Sequence, residues 1–402
     1  MSRRYADLPL HYGHVPPWLA ERMTKLGGAI VEALVVEFGK GELLKRLSDP
    51  LWFQSFGCVL GMDWHSSGIT TSVMGALKRA LNPRSSELGI FICGGRGKHS
   101  RQTPQELVAI AERTGLNGDA LVRSSKLAAK VDNTALQDGF QLYLHNFIIT
   151  REGEWAIVQQ GMNDASGMAR RYHWHSTEFT SYLDSPHAAV TGENQGLILN
   201  LAHKDAKATR TSILSLTDDS PEKMMKEIRK IAMPRHHDVR AEDVDLKRLG
   251  AALTLAHERG TEDFESLLLL EGVGPRTIQS LTLVSEIIYG SPARFNDPAR
   301  FSFAHGGKDG HPFPVPLKVY DETIGVLKSA VEKSKIGLPD KQKAIQQLSA
   351  MAWKLEENFT PGPFFGEVLQ REKDESHRYG GMTVLGKAQA PKKARAQQLK
   401  LF

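Results

Sequence analysis

The sequence predicts a mixed α/β N-terminal domain followed by an all-α C-terminal domain. Three observations carry that expectation. FQLYLHNFIIT and EWAIVQQGM are apolar, β-branched runs on either side of a short REGE turn, which reads as a β-hairpin. From Ala206 onward nearly every segment has helical periodicity instead. Within that second part, LLLLEGVGPRTIQSLTLVSEII reads as two apolar helices joined by a glycine turn.

The elements follow in order. Pro16–Pro17 open a helix whose apolar residues, Leu19, Met23, Leu26, Ile30 and Leu34, recur every three or four positions. A shorter helix through Leu43–Leu47 ends at Asp49–Pro50, and LWFQSFGCVLG reads as a buried helical segment. GMDWHSSG is a loop, and TTSVMGALKRAL a capped helix. ELGIFICGG is strand-like and runs into the basic loop GGRGKHSR; two helices then open at Thr103–Pro104 and near Asp119. After the β-hairpin, RRYHWHS and GLILNLA add strands. Beyond Ala206, SPEKMMKEIRKIA, AEDVDLKRLGAALTLAHERG and KQKAIQQLSAMAWKLEEN are helical. The expected domains are 1–205, 206–385 and a disordered basic tail, 386–402.

Composition narrows the function classes. Hydrophobic residues at 41% and charged residues at 24% belong to a globular chain. No apolar run is long enough to span a bilayer, and the N-terminal segment lacks the apolar region of a secretory signal. Cys58 and Cys93 cannot build a disulfide scaffold or a four-thiolate zinc site, so a cytoplasmic protein is expected. The net charge of +5 equals the contribution of Lys387, Lys392, Lys393, Arg395 and Lys400 in the acid-free tail. That tail reads either as a solvated face or as a tether toward a polyanion.

The glycine turn is the most informative motif. Gly272 and Gly274 permit the backbone angles of a tight turn, Val273 plugs the wedge between the helices, and Pro275 begins the second helix. Its first amides then point outward beside a glycine, a site that suits a duplex phosphate. This resembles the helix-hairpin-helix of DNA repair proteins, with Gly272, Gly274 and Arg276 against the DNA. One branch of that superfamily comprises base-excision glycosylases, which place a catalytic Asp beyond the hairpin. Asp297 stands where that residue would be, or caps a helix before Pro298. Arg276 occupies the position of the lyase Lys and stays protonated, so only a Lys-less glycosylase survives as an alternative. The loop FAHGGKDGHPFPVP adds Lys308 as a DNA contact.

The N-terminal domain carries polar clusters in apolar context. GMDWHSSG supplies Asp63 and His65; GGRGKHSR supplies Arg96, Lys98 and Arg101, a phosphate grip. KVDNTALQDGFQLYLHNF supplies Asp132, Asp138 and His145; VQQGMND supplies Gln159 and Gln160; and His173 and His175 share a strand face. Carboxylates of this kind suit Mg²⁺ or Mn²⁺, with Asp63, Asp132 and Asp138 as ligands and His65 and His145 as bases beside them. No E-x-K nuclease strand, H-E-x-x-H, G-x-S-x-G, Walker loop or Rossmann fingerprint is present.

Taken together, ADLPLHYGHVPPWL, LSDPLWFQSFGCVLGMDWHSSG, KVDNTALQDGFQLYLHNF, VQQGMN and FSFAHGGKDGHPFPV resemble domain-of-unknown-function family seven-six-three, from Ala6 to about Gly380. The resemblance implies a two-domain prokaryotic protein with a helix-hairpin-helix, suspected of cutting DNA. The leading expectation is thus a metal-dependent DNA nuclease in repair or recombination, near the nucleoid. A Lys-less glycosylase and a non-catalytic DNA-binding accessory protein are the alternatives. Gln398, Leu399, Leu401 and Phe402 in the terminal QLKLF resemble the pentapeptide that docks repair proteins into the bacterial sliding clamp. The expected partners are therefore DNA, the clamp and a second copy of the chain.

Overall fold

A computed structural model describes residues 8–9, 15–62, 66–192, 194–218, 220–222, 224–225, 246–299, 317–357, 382–383 and 386–387. A short strand β1 (Leu8–Pro9) precedes four helices, α1 (Pro17–Phe38), α2 (Lys40–Ser48), α3 (Pro50–Val59) and α4 (Gly68–Leu81). Asp49 and Pro50 start α3 as the sequence suggests: the Asp49 carboxylate accepts from Trp52 N at 2.8 Å, and Pro50 occupies the first turn. Every residue of α3 is buried.

Next come α5 (Ser85–Leu88), β2 (Ile90–Arg96), α6 (Lys98–Arg101), α7 (Thr103–Thr114) and α8 (Gly118–Lys130), the last capped by Asn117. α8 runs into a π-type turn, Val131–Ala135, before β3 (Leu136–Gln137). The expected hairpin is β4 (Gln141–Thr150) and β5 (Trp155–Asn163), with Gly153 at φ +95° in its turn. β6 (Met168–His175), β7 (Ala189–Thr191) and β8 (Leu197–Asn200) follow. Helices α9 (Lys207–Asp218), α10 (Leu246–Glu258), α11 (Phe264–Leu269) and α12 (Pro275–Tyr289) come next. The chain continues through β9 (Phe295–Asn296), α13 (Leu317–Lys333), α14 (Leu338–Glu357) and the small pair β10 (Met382–Thr383) and β11 (Gly386–Lys387).

The main sheet is antiparallel in the order β1-β6-β5-β4-β2, with β7 also on β6. Side chains alternate between its faces, and both faces are covered. Ile90, Ile92, Ile148, Ala156, Val158 and Ala169 pack on α1 to α4, together with Leu327 and Val331 of α13 and Leu348 of α14. Phe91, Cys93, Phe147, Ile149, Ile157 and Trp174 pack on α7 and α8, and the same core continues into α9 to α12. The fold is mixed α/β. Residues on either side of position 205 share both cores, because each face of the sheet buries its apolar side chains against helices from both halves of the chain.

Candidate active site

Two side chains on the face of the sheet toward α8, together with one from α8 and one from the turn after it, form one chain of hydrogen bonds. Gln159 lies opposite His145 across β4 and β5, so both project from the same face. Gln159 Nε2 donates to Asp132 Oδ2 at 2.5 Å and to the Ala128 carbonyl at 3.2 Å. With its amide group so engaged, Gln159 turns its oxygen to His145 Nδ1, 2.8 Å away. That contact requires the hydrogen on Nδ1 and leaves the lone pair on Nε2. Ser125 Oγ, 2.8 Å from Nε2, is then the donor. The result is Ser125–His145–Gln159–Asp132, the order of a serine–histidine–acid triad with an amide interposed.

Asp132 anchors the far end. The π-type turn after α8 aims its carboxylate inward, where Trp174 Nε1 donates at 3.0 Å and His187 Nε2 at 2.5 Å. Burial holds the His145 imidazole below its ordinary value, against the opposing pull of Gln159 and Asp132. His145 is therefore neutral at physiological pH and able to accept a proton.

Ser125 and His145, 3% and 5% exposed, stand at the floor of a cleft of about 230 Å³. Its walls include Ser100, Arg101, Lys126 and Tyr143, and no carboxylate among the described residues. The expected basic loop is instead the end of β2 and the short helix α6: Arg101 ends α6, Lys98 is exposed at its start, and Arg96 of β2 lies over the Tyr143 ring at 5.7 Å. A glycine at position 94 is required here. It has φ +83°, and a Cβ would come within 2.2 Å of the His145 carbonyl oxygen.

The same helix leads from the cleft to the helical hairpin. Lys126 lies about 6 Å, one turn, along α8 from Lys130. Lys130 Nζ donates to the Val273 carbonyl in the hairpin turn. Arg123 pairs with Glu265 at 2.8 Å, and Gln137 Nε2 donates to the Pro275 carbonyl at 2.8 Å. Within the hairpin Val273 is buried between α11 and α12, Gly272 has φ +82°, and nothing lies within 4 Å of a Cβ built on Gly272 or Gly274. Arg276 is exposed beside them. Both the cleft and the open face of the turn therefore present cationic groups.

Residues 4–315 match the family of proteins of unknown function DUF763, and the five strings quoted above fall inside that span. The chain belongs to this family. No curated protein and no solved structure matches it significantly.

The geometry of this DUF763 member corrects part of the expected site. Asp132 and His145 do come together, through Gln159, but Asp138 does not join them. Its Oδ2 instead accepts from Arg170 Nη1 at 3.0 Å and from Tyr172 Oη at 2.7 Å. Arg170 also bridges both oxygens of Asp297 at 3.0 Å, and all three side chains are fully buried. Burial disfavours the Arg170 charge, but the two carboxylates outweigh it and hold the guanidinium above its ordinary value. Asp297 further accepts from Gln195 N and Ala299 N, each at 2.9 Å. Its oxygens are engaged, so the glycosylase alternative lacks the free base it needs.

Among the described residues no group of three or more His, Cys, Asp or Glu is placed to hold a metal ion. Asp132 and Asp138 share no partner: Gln159, Trp174 and His187 donate to Asp132, and Arg170 and Tyr172 to Asp138. Asp63, His65, Lys308, Gln398, Leu399, Leu401 and Phe402 lie outside the described residues.

Ser125, Lys126 and His187 are the site residues the sequence reading lacked. A signal was there for Ser125: with Leu121, Ala128 and Asp132 it lies on the inward stripe of α8, a polar group where an apolar one is due. On the opposite face of the sheet His173 donates from Nδ1 to the Leu47 carbonyl, 3.0 Å away. Next to it the buried Arg171 guanidinium lies 4.7 Å over the Phe53 ring and donates to Gln54 Oε1. Burial pushes its pKa down to about 9.

Proposed function

We propose that this protein is a DNA phosphodiesterase, a nuclease that holds duplex DNA by its helical C-terminal part and cuts it in the cleft over Ser125 and His145. One observation carries the reading. A neutral histidine, oriented through Gln159 by a buried carboxylate, stands at the floor of a largely apolar cleft whose lining carries Arg101 and Lys126. A phosphodiester is the substrate such walls select, since Arg101 and Lys126 complement its charge and no carboxylate repels it.

The hairpin supports DNA as the source of that phosphodiester. An open Gly-Val-Gly turn beside exposed Arg276 suits a backbone phosphate and reads no base. α8 joins the turn to the cleft through the contact of Lys130 with Val273, which suits one duplex engaging both. In that position His145 Nε2 takes a proton from the attacking hydroxyl and later returns it to the leaving oxygen. Gln159 and Asp132 hold the ring in the accepting tautomer. The Mg²⁺ or Mn²⁺ expected from the sequence has no ligand shell among the described residues and enters no step.

The test is an incubation of supercoiled plasmid, and of oligonucleotides carrying damaged bases, with Mg²⁺, Mn²⁺ or EDTA. Strand breaks on undamaged plasmid are the expected result. Abasic sites without breaks would restore the glycosylase reading. Stable binding with neither product would make the protein a DNA-binding accessory factor.

A further inference from the structure

The chain contains a serine whose hydroxyl is withheld from the use a helix ordinarily makes of it. A buried Ser or Thr inside a helix returns its proton to the carbonyl four residues back. Ser124 does so, donating to Ala120 O at 2.8 Å, as do Ser280 to Arg276 O and Thr282 to Ile278 O. Ser125, the next residue in the same helix, sends its proton to His145 Nε2 instead. The tautomer imposed by Gln159 means this is a donation from oxygen to a neutral ring nitrogen, the arrangement that activates an alcohol.

Resting on the nuclease reading above, we propose that Ser125 is the nucleophile and that cleavage passes through a phosphoserine bond between Ser125 Oγ and the cut DNA strand. In the first step Oγ bonds to phosphorus as its proton passes to His145 Nε2. One phosphorus–ester oxygen bond breaks, and the leaving oxygen takes the proton from Nε2 and departs as a hydroxyl. In the second step His145 takes a proton from water, the hydroxide adds to phosphorus, and the Oγ–P bond breaks as Oγ recovers a proton. The sum is a phosphodiester and water giving a phosphomonoester and an alcohol. Nothing beyond water is consumed.

Two features of the cleft fit that sequence. Arg101 and Lys126 line the same cleft and would complement the charge that gathers on the non-bridging oxygens during each displacement. The second feature is the fully buried Asp132 carboxylate behind Gln159, which stabilises the imidazolium formed midway through each step.

The experiment mixes full-length protein with end-labelled duplex DNA in EDTA, quenches with denaturant at early times, and looks for label that stays with the protein. The expected result is an adduct whose mass and fragmentation place the nucleotide on Ser125 of the wild-type protein. Ser125→Ala should lose both adduct and cleavage by about 10³-fold or more. Ser124→Ala, which changes the neighbouring hydroxyl only, should retain both. Cleavage by Ser125→Ala at the wild-type rate, or wild-type cleavage in EDTA with no adduct under any quench, would overturn the nucleophile while leaving the nuclease reading intact. Cleavage only with added metal would likewise overturn it. Absence of cleavage by wild-type protein with metal or EDTA would overturn the nuclease reading and this inference with it.

Discussion

Asp297→Asn should cost this protein about 3–5 kcal/mol of stability. The side chain is 2% exposed and accepts four hydrogen bonds, two from Arg170 and one each from Gln195 N and Ala299 N. Asn keeps the volume but turns one acceptor oxygen into a donor facing donors, and removes half of the negative charge around a buried guanidinium. Two charge-assisted bonds at roughly 1.5–3 kcal/mol each give the same size of loss. With a urea m-value on the order of 3 kcal/mol/M, the unfolding midpoint should fall by about 1–1.7 M, read by far-ultraviolet circular dichroism. Arg170→Met should cost a similar amount near neutral pH, with a distinctive pH signature. Asp138, whose carboxyl burial already holds above its ordinary value, would then lose the Arg170 charge that opposes that rise, and its folded pKa would climb further above that of the unfolded chain. The folded state binds the extra proton, so this variant gains stability as pH falls toward about 5 and loses it as pH rises. An Asp297→Asn protein within about 0.5 kcal/mol of wild type would show that the triad is solvated, and would refute the reasoning.

The remaining predictions concern pH, DNA and the tail. Burial holds His145 and His173 below their ordinary value, so the unfolded chain takes up protons first as pH falls. Wild-type stability should be full above about pH 6.5 and decline below it, by up to about 1.4 kcal/mol per pH unit for each histidine; a flat urea midpoint between about pH 5 and 7 would contradict this. Gly274→Val, at a position with open space around its Cβ, should crowd the phosphate face of the hairpin and weaken duplex binding at least about tenfold for every sequence alike. An unchanged affinity and salt dependence in a folded variant would remove the hairpin from the interface. A peptide of residues Lys387–Phe402 should bind bacterial sliding clamp at about micromolar strength, measured by fluorescence polarisation. Leu401→Ala with Phe402→Ala should abolish that binding, and equal binding by both peptides would sink the clamp proposal.

What was legible in the sequence was what local chemistry decides. Two apolar runs around Glu152–Gly153 gave β4 and β5, and Asp49–Pro50 gave the start of α3. In the helical hairpin, glycine and proline leave the backbone one course, and Val273 fills the wedge as its position predicts. The candidate site was legible only as parts. Asp132 and His145 were visible as polar groups in apolar surroundings, yet the sequence offers no reason to join them through Gln159 rather than through a cation. That link depends on which residues of β4 and β5 stand opposite one another, and a shift of one residue would send Gln159 to the far face. Asp138 looked like a ligand because Arg170 and Tyr172, which donate to its Oδ2, lie far along the chain. Ser125 shows in the sequence as a polar group on an inward helix face, but its partner does not. A serine in an amphipathic helix has the same local pattern whether it bonds its own backbone, like Ser124, or a histidine from another strand.

The most direct test of the central claim is the single-turnover rate of plasmid cleavage by His145→Ala, with and without added imidazole. Removing the ring leaves Ser125 without its acceptor and opens a space beside Gln159 in which imidazole has the same hydrogen-bond partners. The account predicts a loss of about 10²–10⁴-fold and a partial recovery that rises with the concentration of neutral imidazole. A His145→Ala protein that is folded, binds DNA and cuts it at the wild-type rate would contradict the account.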